Sequence, residues 1–180
     1  TLTDGAGSVT LNTGAGNDTI FAGTGDDVYD AETGRDILNY SNITSGVSVD
    51  LSNDTATLGA GNDVIRNIEH VIGSSSDDSL RAKDGESITL DGAGGDDSII
   101  GMDGADSLIG GAGNDTIDGG VGADSITGND GADSIIGGAG TDTIDGGTGS
   151  DTIDAGADDD SIIGGAGADS IIGGTGNDTI

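Results

Sequence analysis

The chain has no cysteine, no proline and no tryptophan, and only four basic side chains among its 180 residues. Without cysteine there are no disulfides and no thiolate zinc sites; this fits a secreted bacterial protein. The basic residues Arg35, Arg66, Arg81 and Lys83 all lie in the first half, so no basic patch exists for nucleic acid or anionic lipid. No apolar run is long enough to span a membrane. Aromatics make up 2% and hydrophobic residues 32%, too little for an ordinary globular core. Against these shortages stand 34 acidic residues and a net charge of -30. Low hydrophobicity with high net charge is the composition of a disordered chain, so something outside the chain must offset the charge if it folds.

What is present is glycine, at 38 residues, and aspartate, with Glu32, Glu69 and Glu86 as the only glutamates. A short carboxylate used almost alone points to geometry rather than to solubility. From Gly92 the chain divides without a gap into ten blocks of nine, beginning GAGGDDSII, GMDGADSLI, GGAGNDTID; the tenth stops at position eight, Ile180. Position six is Asp in every block: Asp97, Asp106, Asp115, Asp124, Asp133, Asp142, Asp151, Asp160, Asp169 and Asp178. Position eight is Ile except Leu108, and position four is Gly except Asp158. Four sections follow. Residues 1–39 form a first repeat block with Asp18, Asp27 and Asp36 in phase. Residues 40–72 form a degenerate β spacer holding one isolated repeat at 58–66. Residues 73–91 restart the array at Asp78 with a one-residue insertion, and 92–180 form the regular block.

A fixed period of this kind is the mark of a solenoid. The segment Asp-Ser/Thr-Ile-x reads as a short strand with one inward side chain, and Gly-Gly-x-Gly as a turn in which glycine takes positive φ. Two repeats then complete an 18-residue coil, giving an all-β parallel β-roll, a β-solenoid of nonapeptide repeats. Position nine supports this winding. Read every 18 residues it gives Ile100, Asp118, Ile136, Asp154, Ile172 in one column and Ile109, Thr127, Asp145, Ile163 in the other, so no two aspartates stack. Asp27 is expected to lack a partner, with Val9 one coil before and Ser45 one coil after. Tyr29, at position eight, is expected in the core, and His70 at the surface or in a turn.

The same winding stacks the position-six carboxylates. Two bare carboxylates about 5 Å apart repel by roughly 3 kcal/mol at an effective dielectric of 20. A divalent cation between them reverses the sign. Calcium accepts six to eight carboxylate and carbonyl oxygens in flexible geometry, whereas magnesium demands strict octahedra, and one histidine with no cysteine leaves soft metals without ligands. The motif Gly-Gly-x-Gly-x-Asp-x-Ile-x, as in Gly110–Asp118 and Gly137–Asp145, resembles the RTX (repeats-in-toxin, hemolysin-type) calcium-binding family. The likeness covers 92–180 and, less regularly, 4–39 and 58–81.

That resemblance implies a Ca2+ ion clamped between consecutive coils. One turn supplies the carbonyls of positions two and four with its carboxylate; the turn 18 residues later supplies those of positions one and three with its own. Carried over, Met102, Gly104 and Asp106 would act with Gly119, Val121 and Asp124, and Gly111, Gly113 and Asp115 with Gly128, Asp130 and Asp133. Gly120 and Gly122 would pair with Gly137 and Ala139, and Gly146 and Thr148 would serve the Asp151 turn. Asp18 with Asp36, and Asp78 with Asp97, would form further sites before the regular block, and the cation column is expected to lapse between Tyr40 and about Asp91. No EF-hand, phosphate loop or catalytic triad is present, and the expectation is no enzyme. The expected function is a secreted calcium-binding module that folds on binding Ca2+ and forms a structural part of a larger extracellular protein (a surface layer, adhesin or filament) at a bacterial cell surface. The alternative is the accessory domain of a secreted lipase, protease or epimerase. Expected partners are multiple calcium ions, further domains of the same chain and identical subunits, with no nucleic acid and no membrane insertion.

Overall fold

The stacking direction follows from the pairing register. In a computed structural model, which describes residues 1–59 and 61–180, Ser107, Leu108 and Ile109 lie beside Ser125, Ile126 and Thr127 in parallel. Thr116, Ile117 and Asp118 likewise lie beside Ser134, Ile135 and Ile136. Each pair is 18 residues apart, so the chain winds as a β-solenoid with two repeats per coil. Among the described residues there is no helix, and the strands form two sheets of nine and eleven. Both position-nine columns run as the sequence predicts, with Asp118 between Ile100 and Ile136 and Asp145 between Thr127 and Ile163. Opposite charges meet where the repeat is irregular: Arg66 lies beside Asp30 and Arg81 beside Asp50.

The core is the row of position-eight side chains. Ile99, Leu108, Ile117, Ile126, Ile135, Ile144, Ile153 and Ile162 are all buried, joined by Tyr29, Leu38 and Val71 in the earlier coils. Position-nine isoleucines face outward, with Ile163 58% exposed. Strands are longer than the motif suggests. Ser107–Ala112 and Thr116–Val121 run from position seven through position three of the next repeat, so the turn shrinks to positions four to six. The reason is backbone hand at position two. Gly111 and Gly120 have φ of 114° and 96° there, which bends the strand and still lets positions two and three pair with the next coil. Met102, Ala93, Asn129 and Glu32 hold the same left-handed conformation without being glycine, each at a cost of roughly 1–2 kcal/mol. Asp158 at position four also sits at φ 82°.

The spacer does not interrupt the solenoid; its first three strands are spliced into one sheet and its last belongs to the other. In the nine-stranded sheet Ile37–Asn39 pairs directly with His70–Ile72, and that strand with Thr89–Gly94. His70 is therefore a half-buried strand residue rather than a turn residue. In the other sheet Val47–Asp50 pairs antiparallel with Thr55–Leu58, which pairs antiparallel with Gly61–Arg66. Gly61–Arg66 lies parallel to Val28–Asp30, and Val47–Asp50 parallel to Ser79–Arg81. The chain thus advances, doubles back and rejoins the winding in phase. The extra residue of 82–91 is taken up between Gly85 and Ile88. Gly85 N–H donates to the Asp103 carbonyl, one residue further than the corresponding bond of Gly104 to Val121, while Ile88 N–H donates to Asp106 Oδ1 in the same register as Asp97 to Asp115.

This packing predicts unequal costs along one repeat. Leu108→Ala should lower stability by about 2–5 kcal/mol, as for other buried leucines. Ile163→Ser should stay within about 0.5 kcal/mol. Urea unfolding midpoints at saturating calcium check the ranking.

Candidate metal centre

Position six sits where the strand direction reverses, and its carboxylate joins one coil to the next. Asp97 N–H donates to Asp115 Oδ1 at 2.8 Å, Asp115 N–H to Asp133 Oδ1 at 2.8 Å, and Asp133 N–H to Asp151 Oδ1 at 2.9 Å. On the opposite edge Asp106 donates to Asp124, Asp124 to Asp142 and Asp142 to Asp160, at 2.8, 2.9 and 2.8 Å. Asp169 and Asp178 close the two rows, accepting from Asp151 and Asp160 at 3.1 Å. Asp18 N–H donates to Asp36 Oδ1 at 2.7 Å. An aspartate at each sixth position thus replaces a ladder bond where the strands have ended.

The second oxygen is different. Oδ2 of Asp36, Asp63, Asp97, Asp106, Asp115, Asp124, Asp133, Asp142, Asp151 and Asp160 is buried with no hydrogen-bond partner. An unsatisfied buried charge is costly, and here it recurs at every position six from Asp97 to Asp160. A Cβ on Gly110 would fall on Asp115 Oδ2 and stand 2.8 Å from the Gly128 carbonyl oxygen. One on Gly101 would stand 3.0 Å from Asp106 Oδ2 and fall on the Gly119 carbonyl. Gly119 and Gly128 relate in the same way to the Asp124 and Asp133 carboxylates and to the carbonyls of Gly137 and Gly146. Each position-one glycine therefore faces a cradle in which an Oδ2 and a carbonyl from the next coil converge. Within the regular block Ala155 alone replaces glycine at position one, and Asp160 Oδ2 is unpartnered there too.

The remaining expected carbonyls divide. Those of Val121, Asp130, Ala139 and Thr148 accept the N–H of Gly104, Gly113, Gly122 and Gly131, at 2.8 Å in each case, and Met102 accepts from Val121 at 2.7 Å. Each keeps one lone pair. The position-four carbonyls of Gly104, Gly113 and Gly122 point at the position-four glycine one coil on, where a Cβ would lie on them; this favours glycine at position four, with Asp158 the exception in the regular block. Among the described residues no three His, Cys, Asp or Glu side chains converge, so any cation here draws on main-chain oxygens as well as carboxylates, a donor set that suits calcium.

Two carboxylates that the nine-residue count does not reveal belong to these rows. Asp27 has a partner after all: its N–H donates to Asp63 Oδ1 at 3.0 Å. The separation is 36 residues, two coils, because the spliced hairpin pushes Ser45 out of the next coil. Glu69 takes position six beside Asp36, whose N–H donates to its Oε2 at 2.8 Å. The signals in the sequence are the isolated repeat around Asp63 and the run His70-Val71-Ile72 in the phase of positions seven to nine. The lapse from Tyr40 to Asp91 narrows accordingly. One row continues through Glu69 and fails only at Ile88, which is buried and apolar. The other resumes at Asp78, whose N–H donates to Asp97 Oδ1 at 2.7 Å.

Burial is the largest influence on these acids. It pushes Asp97 up to about 7 and Asp106, Asp133 and Asp142 up to about 6, opposed by the donated N–H and reinforced by neighbouring aspartates. Asp115, Asp124 and Asp160 are raised for the same reason. Burial lowers His70, with Asp91 opposing.

A model of the RTX calcium-binding nonapeptide repeat, the hemolysin type, matches residues 1–38, 50–66, 91–126, 118–153 and 145–180. No curated protein matches the chain.

The raised acids set a pH dependence for the cation-free chain. Their folded pKa lies above the unfolded value of 3.8, so protonation favours the fold. That contribution is complete below the unfolded value and is lost as pH rises through about 6 to 7. In chelator, far-UV circular dichroism should show strand signal growing between about pH 8 and about pH 5. A flat profile would contradict the assignment.

Proposed function

This chain belongs to the RTX calcium-binding nonapeptide repeat family, and on that premise we propose that it is a secreted module whose winding is completed by calcium, serving as a structural part of a larger extracellular protein at a bacterial surface. The calcium-binding structural repeat itself follows from the family. Secretion, the surface setting and association with further domains or identical subunits are our reading, supported by the family's usual occurrence in secreted proteins and by the net charge of -30.

The observation that carries the proposal is the row of buried, unpartnered Oδ2 atoms at coil spacing. Calcium would supply charge neutralisation and shared coordination between turns. The regular block 92–180 holds the principal sites. Asp106 and Gly119 face one cradle, Asp115 and Gly128 the next, then Asp124 with Gly137 and Asp133 with Gly146, the carbonyls of positions two to four completing each set. Asp18 with Asp36 forms a further site. Where free calcium is scarce, as inside a bacterium, the carboxylate rows repel and the chain stays open for export. At extracellular calcium, binding free energy becomes folding free energy, and coils that contact only their neighbours propagate order along the array.

Far-UV circular dichroism before and after chelation at neutral pH tests the switch, with loss of most strand signal expected. Asp115→Asn should weaken cooperative calcium binding in isothermal titration, while Asp118→Asn, on a half-exposed position nine, should leave it unchanged. Strand content untouched by chelator would sink the proposal.

A further inference from the structure

Two carboxylates of these rows have Oδ2 held by donors of the protein, and they flank the spliced hairpin. Asp27 lies at the turn before Val28–Asp30, the strand beside Gly61–Arg66. Asp78 lies at the turn before Ser79–Arg81, the strand beside Val47–Asp50. Each hands Oδ1 to the coil before, as elsewhere: Val9 N–H donates to Asp27 at 2.8 Å and Val47 N–H to Asp78 at 2.7 Å. Their Oδ2 atoms are what differ.

At Asp27 the partner is Tyr29. In the regular coils position eight is isoleucine, and Ile126 Cδ1 ends 3.1 Å from where a Cβ on Gly119 would stand, just short of the carboxylate. A tyrosine ring reaches further. The Tyr29 hydroxyl lies 3.1 Å from Asp27 Oδ2 and 2.7 Å from Asp4 Oδ2, sharing its proton between them, and accepts the Gly23 N–H at 3.2 Å. The ring is wholly buried, so the hydroxyl cannot swing aside. At Asp78 the partner is Ser74. Its N–H donates to Oδ2 at 2.6 Å and its hydroxyl to Oδ1 at 2.9 Å. With Val47 that makes three donors on one carboxylate.

We propose that the Asp27 and Asp78 turns take no calcium, because donors of the protein already hold the oxygen that the other turns direct at the cation. This rests on the calcium reading of the regular block and departs from the family pattern at two named turns. Between them on that edge stands Asp63, whose Oδ1 accepts the Asp27 N–H and whose Oδ2 is buried without a partner, so the cation row is broken at the two turns that flank the hairpin.

Anomalous diffraction from crystals of the whole chain soaked in terbium tests this without any substitution. The expected map has peaks beside Oδ2 of Asp106, Asp115, Asp124, Asp133 and Asp142, and none at bonding distance from Asp27 or Asp78 Oδ2. A peak at either overturns the inference. Absence of peaks along the whole row overturns the calcium reading and this inference with it. In solution, equilibrium dialysis should find as many calcium ions on Asp27→Asn as on the unaltered chain and fewer on Asp115→Asn. An ion lost from Asp27→Asn overturns the inference; no loss from Asp115→Asn counts against the ligand set instead.

Discussion

Each coil of this solenoid is tied to the next by a carboxylate accepting a backbone N–H across the turn, as Asp133 accepts from Asp115. A charged acceptor makes that bond shorter and stronger than a neutral one, and the short aspartate side chain places it where strand pairing has run out. The bond also fixes a negative charge in each turn, about 4.8 Å from the next at parallel strand spacing. Stitching and repulsion therefore come from the same residue. The two oxygens have separate roles. Oδ1 joins the coils, and Oδ2 is left facing a glycine-lined cradle that needs a positive partner.

The rest of the sequence answers that constraint. Glycine at position one keeps the cradle open. Glycine at position four lets carbonyls of successive turns approach within a distance that a Cβ would block. The core of the regular block is two thin ladders of position-eight side chains, isoleucine with one leucine, which bury little apolar surface per residue and cannot by themselves outweigh stacked charges and the entropy of ordering so much glycine. Folding is thus bound to whatever neutralises Oδ2. A proton does so in acid, and burial favours it by disfavouring the charged carboxylate; a divalent cation does so at neutral pH and links both coils at once.

Where the repeat is regular, the sequence is nearly sufficient. A side chain that recurs every nine residues must recur in space, so the 18-residue winding, the position-eight core, the alternation at position nine and the carboxylate rows are all legible. Counting by 18 fails where the period is broken. Asp63 looks isolated because the partner of Asp27 lies two coil lengths away, and Glu69 looks unrelated because a longer carboxylate stands in for aspartate. Strand ends are misjudged because the left-handed bend at position two does not stop pairing. The roles of Tyr29 and Ser74 depend on which oxygen of a carboxylate already has a donor, and no spacing rule reports that.

The splice shows what an interruption of such a roll requires. A parallel coil can be skipped only if the strands on either side still find partners, and the antiparallel Thr55–Leu58 supplies them to Val47–Asp50 and Gly61–Arg66. It cannot supply a carboxylate in phase, because reversing the strand reverses the order of turn and strand. The strands that face it are Gly61–Arg66 and Val47–Asp50, and the turns of Asp27 and Asp78 lie one strand further out on either side. At those two outer turns the charge of the aspartate is met from within the protein, by Tyr29 and Ser74. At Tyr29 the change falls on position eight itself: the isoleucine of the regular repeat gives way to a side chain carrying a hydroxyl where the cation row is broken.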